Sequence, residues 1–152
     1  MLRHTLATVA YRGGKALRGV PAGFAAFRAG PTVRTPGEVL AHIGDLLDWG
    51  LSLACGKQQW RSSEPLPWEE GVARFFAGLE ALDGYLASEQ TLGCPAEQLF
   101  QGPVADALTH LGQISMLRRL AGFPVRAENY LQATIQTGRV GAEQAPPKRE
   151  VD

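Results

Sequence analysis

Apolar residues recur at the helical period in four stretches of this chain and alternate along none, so the pattern predicts helices and no strands. In the first stretch Leu2, Leu6, Val9 and Ala10 fall on one side of a helix that reaches about Arg18. Gly13 and Gly14 either weaken its middle or let another helix approach closely. The second stretch is punctuated at both ends. Thr35 caps, Pro36 takes the first position, Glu38 completes a capping box, and Gly56 stops the helix. Between them Val39, Leu40, Ile43, Leu47, Gly50, Leu51 and Ala54 form one stripe. A third helix, opened by Pro67 and running to about Ser88, carries Trp68, Val72, Phe75, Phe76, Leu79, Leu82 and Leu86. The fourth spans Pro103 to Gly122. Proline suits its first position, and Gly122 with Pro124 ends it.

The connections are long. Residues 19–36 hold one expected helical turn at 22–28, pinned by Phe24 and Phe27. Residues 57–67 bring Trp60 over one end of the helices, and 91–102 hold a second turn at 95–100. Beyond Gly122 the periodicity fades. Residues 127–137 read as a short helix or a strap, and the polar, proline-bearing residues 138–152 as a flexible tail. The expected fold class is all-α, an up-down four-helix bundle forming one domain over 1–137 with a tail at 138–152.

Composition narrows the functions available. A length of 152 residues, 45% of them hydrophobic, suits one domain with a real core. Fifteen acidic and fifteen basic residues leave no net field toward nucleic acid, acidic partners or anionic lipid, so binding has to be local. No basic run interleaved with aromatics suggests nucleic acid, and no glycine-rich segment has the strand-loop-helix setting of a phosphate cradle. No stretch approaches the roughly 20 apolar residues of a membrane span, and the first ten residues, with Arg3 and His4, lack the uninterrupted apolar run that a secretion signal requires. Cys55 and Cys94 form no CxxC pair and fit a reducing compartment, so the expected location is the cytoplasm.

Candidate chemistry sits on the second and fourth helices. Asp106 and His110, at i and i+4, project side by side, a spacing that can hold one divalent ion. The alternative is an acid favourable to a helix N-terminus beside an ordinary hydrogen-bonded histidine. His42 lies at the edge of the second helix's stripe, sharing a face with Asp45, Leu46 and Trp49. A lone histidine there is usually a satisfied core residue, but the chain has only three, and His42 and His110 both lie on inner-facing sides. Glu69 and Glu70 suit the dipole of the third helix, and Arg28 and Arg34 read as solvated surface charges.

The segments TPGEVLAHIGDLLDW at 35–49 and ALTHLGQISMLRRLAG at 107–122 carry a resemblance to the DinB-like superfamily of four-helix-bundle metalloenzymes. That group also covers enzymes dependent on bacillithiol, mycothiol and related thiols, and the likeness spans nearly the whole chain. The second segment is similar to the family's HxxxH-x-GQI-xxx-R-xx-G helix, in which a histidine of helix two and two of helix four bind the metal. His42 matches the first ligand and His110 the last, while the middle position is Asp106. The resemblance implies a divalent ion (Zn, Ni, Fe or Mn) held by two histidines and one carboxylate, with positions left for water or substrate. It implies Thr109 or Gln113 orienting ligands, Asp45 accepting the free N–H of a liganding imidazole, and Arg118 meeting a substrate carboxylate. Arg118 alternatively complements a helix C-terminus. Two functions follow: a metal-dependent enzyme, such as a thiol S-transferase or related hydrolase acting on a low-molecular-weight thiol or small molecule, or a non-catalytic helical module, such as a homodimer, with a structural or absent metal.

Overall fold

The computed structural model describes residues 1–151. Helix α1 covers Leu2–Leu17, α2 Pro36–Ala54, α3 Trp68–Ala87, α4 Ala96–Leu99 and α5 Ala105–Leu120, with short 3-10 turns at Phe24–Ala26 and Tyr130–Gln132. Among the described residues strand is confined to two pairs, β1 Ala127–Glu128 and β2 Glu150–Val151, which run antiparallel with Ala127 opposite Val151. The chain is therefore mostly helical, as the apolar periodicity requires. None of the described helices is long and apolar enough to cross a membrane.

The start of α2 is the best-specified boundary. Thr35 Oγ1 accepts from the Glu38 N–H at 3.2 Å, while the Thr35 N–H donates to Glu38 Oε2 at 2.6 Å. Both orphan donors are thereby satisfied, and the first turn is locked to Thr35. α2 packs on α3 and α5, and α1 packs on the same two helices. The shared core holds Leu6, Val9 and Leu17 of α1, Ile43 and Leu47 of α2, Phe75, Leu79 and Leu82 of α3, and Ile114 of α5, all essentially without exposure. The two readings of Gly13 resolve in favour of close approach. A Cβ on Gly13 would meet the Phe75 ring at 2.4 Å, so α1 and α3 come together only because that side chain is absent.

The fourth helix departs from its expected boundary. Pro103 does not open it; it lies inside a π-helical segment, Phe100–Val104, which joins α4 to α5 without a break. The flanking residues Leu99, Phe100, Val104 and Ala105 all keep right-handed helical dihedrals. Proline has no N–H for the usual i−4 bond, and a π turn absorbs the missing donor, with the Ala105 N–H reaching back to the Phe100 carbonyl. Asp106 consequently stands well inside a helical run that begins at Ala96, and the N-terminal-acid reading loses its basis.

The second correction concerns the end of the chain. Residues 138–151, expected as a flexible tail, fold back on α1, and 127–137 form a strap that includes the 3-10 turn Tyr130–Gln132. Buried Glu128 accepts from Tyr11 Oη at 2.6 Å and from Lys15 Nζ at 2.9 Å, and Lys15 also pairs with Glu150 at 2.8 Å. Val140 is 5% exposed. Polar composition hid this because the anchors are ion pairs and one valine rather than an apolar stripe.

Candidate metal centre

Two turns into α2, His42 projects toward α5, and the i and i+4 positions of α5 bring Asp106 and His110 to meet it. One ligand atom from each of the three lies within 4.8 Å of the other two. His42 Nε2 is 3.8 Å from Asp106 Oδ2, and His110 Nδ1 is 3.1 Å from Asp106 Oδ1. The imidazole rings stand 4.6 Å apart between centroids, tilted by 59°. Donors about 2.1 Å from one ion stand roughly 3.4 Å apart in a tetrahedral site, so the group needs to close by up to about 1.4 Å to share one.

Protonation suits the same use. His110 Nδ1 lies 2.9 Å from the Asp106 backbone carbonyl, which can only accept, so Nδ1 donates there and Nε2 is the ring nitrogen left for a ligand bond. Burial is the largest influence on His42; with the neighbouring charges of His110 and Arg34, it lowers the pKa below the ordinary histidine value. Its neutral, ligating form is thereby favoured at neutral pH. The Thr109 hydroxyl donates to the Asp106 carbonyl oxygen at 2.8 Å, within the same helix, and lies 3.2 Å from Oδ1. Side-chain exposure runs from 11% at His110 through 23% at His42 to 44% at Asp106, so the group is rooted in the core and open on the carboxylate side.

Other expected participants are placed elsewhere. Asp45 accepts no imidazole N–H. Its carboxylate is taken by the Ser63 N–H at 3.0 Å, the Ser63 hydroxyl, and Arg74 Nη2 at 2.8 Å. Arg74 crosses α2 at Gly44, where a Cβ would lie 2.8 Å from Nη1. Arg118 is buried and meets no open site; it donates to the Ala16 and Arg18 carbonyls at 2.9 and 2.7 Å and to the Phe123 carbonyl at 3.3 Å. It completes the C-terminus of α1, a different helix from the one its sequence position suggested. Gln113 is exposed on α5. Cys55 follows α2 about 20 Å along the axis from His42, too far to serve the same centre.

An aromatic pair completes the surroundings. Trp60 packs edge-on against His42 at 5.7 Å and against Trp49 at 5.7 Å with the indoles 87° apart. Trp49 in turn lies over Gly102 of the π segment, 3.6 Å from where a Cβ would be. The proximity of Trp60 to His42 was invisible in the sequence because residues 57–67 have no period from which to read a direction.

Comparison with protein-family models, with curated proteins and with solved structures finds no match.

Proposed function

We propose that this protein is a divalent-metal protein of the DinB-like kind, the ion held by His42, Asp106 and His110, and that it is a metal-dependent thiol S-transferase or related hydrolase. The observation that carries the metal reading is the convergence of three ligand atoms from two helices within 4.8 Å. Two imidazoles and one carboxylate suit zinc, nickel, iron or manganese and leave coordination positions over. A structural zinc site is normally closed by a fourth protein ligand, whereas the Asp106 side of this group faces solvent. That openness favours the enzyme over a non-catalytic module.

The chemistry a bound divalent ion supplies is Lewis acidity, which lowers the pKa of a thiol or water. The chain's own residues prepare for it. The Asp106 carbonyl fixes the His110 tautomer, and burial keeps His42 unprotonated. Thiol transfer rests on the resemblance of 35–49 and 107–122, and the small-molecule partner is proposed on the same ground.

Elemental mass spectrometry on protein purified without chelator or affinity tag tests the metal reading. Near one equivalent of metal in the wild type, lost in both His42→Ala and His110→Ala while circular dichroism stays helical, is the expected result. Metal-free wild type after incubation with each of the four ions, or full occupancy in both variants, would overturn it.

A further inference from the structure

The loop that carries Trp60 is held at both ends. On one side the Gln59 N–H donates to Ser52 Oγ of α2 at 3.0 Å. On the other, the Ser63 N–H and hydroxyl both bond Asp45, and Arg74 donates to Ser63 Oγ at 2.8 Å. Just before the first anchor, Gln58 takes φ +43°, a left-handed conformation that a non-glycine residue adopts at a cost and keeps only when its surroundings impose it. Between these fixed points Trp60 remains 46% exposed, its Nε1 donating to Ser62 Oγ at 3.2 Å. A large apolar ring is thus fixed half in solvent, beside an imidazole of the metal group, when a loose loop could have let it turn away. Trp49, perpendicular to it, supplies a second wall.

Resting on the metal reading above, we infer that Trp60 and Trp49 form a recognition corner for a planar, apolar group, an aryl ring in the simplest case, on a ligand whose donor atom meets the open side of the His42–Asp106–His110 centre. Two indoles at right angles offer one face for offset stacking and one edge for a T-shaped contact, the arrangements aromatic pairs prefer. The anchoring hydrogen bonds fix the corner before the ligand arrives, so little side-chain freedom remains to be lost on binding. No charged side chain is required for the contact. The preferred substrates are therefore aryl-bearing rather than simple alkyl compounds.

Two chelators that differ only in phenyl against methyl, benzohydroxamate and acetohydroxamate, test this on Co²⁺-loaded protein. Affinities are read from the Co²⁺ absorption spectrum and referred to those for the free ion. The wild type is expected to prefer the phenyl compound about tenfold, the scale of one aromatic contact with its buried area. In Trp60→Ala the preference should fall to about twofold or less, with acetohydroxamate affinity and Co²⁺ stoichiometry unchanged, and Trp60→Phe should keep most of it. Equal preference in wild type and Trp60→Ala, or none in the wild type, overturns the aryl corner and leaves the metal centre standing. Failure of the wild type to bind Co²⁺ overturns both.

Discussion

Asp45 and Asp106 are both carboxylates that the helical pattern places near a histidine, and burial separates their roles. The Asp45 side chain is 4% exposed and tied to Arg74 and Ser63; the Asp106 side chain is 44% exposed and faces two imidazoles. A buried charge whose partners are weakened is costly, while an exposed one is not. Asp45→Asn should therefore lower stability in urea by about 2–3 kcal/mol with metal content unchanged. Asp106→Asn should do the reverse, shifting stability by less than about 1 kcal/mol while metal binding weakens at least tenfold, as read by competition with a chromophoric chelator. That His42 and His110 each lie on an inward side of a well-marked helix was legible in sequence, because each side chain's direction follows from its place in its own helix. The fate of Asp45 was not, since its partners Ser63 and Arg74 come from a loop and another helix.

On α1 and α5, glycine serves opposite ends. Gly13 lies under the Phe75 ring, which is fully buried and has nowhere to move. Gly13→Ala should destabilise by about 2 kcal/mol through overpacking. Gly112 of α5 has open space around the position of a Cβ, so Gly112→Ala should stabilise by about 0.5–1 kcal/mol, the helix-propensity gain alone. Thermal melts of the two variants should move in opposite directions. Capping residues and apolar spacing made α2 and α3 readable to within a residue or two, because those signals act within one turn. The π segment escaped the same reasoning: proline at a helix start and proline absorbed in a π turn look alike until the preceding helix is seen to continue through it.

For the molecule as a whole, the return of the chain onto α1 adds a pH-dependent element. Burial alone would push the Glu128 carboxyl up, but the Tyr11 hydroxyl and Lys15 ammonium outweigh it and hold the pKa below the usual carboxylate value. The unfolded chain has the ordinary value, so Glu128 contributes its full stabilisation above the usual carboxylate range and loses it as pH falls through the depressed folded value. Wild type should lose melting temperature on acidification more steeply than Glu128→Gln, which should be less stable than wild type at neutral pH and flatter toward acid. Parallel acid limbs for the two proteins would refute this coupling.

The sequence by itself determined the helices, most of their boundaries, the apolar faces and the pairing of Asp106 with His110, since all of these depend on residues within a few turns of one another. Only the tertiary structure decided that His42 of α2 meets that pair and that Asp45 and Arg118 are structural anchors. It also decided that Trp60 packs edge-on against His42 and that residues 138–151 close on α1. Each of those outcomes joins groups far apart in the chain through contacts that carry no periodic signal. They are settled by which faces the core brings together, and by which polar groups must find partners once it has done so.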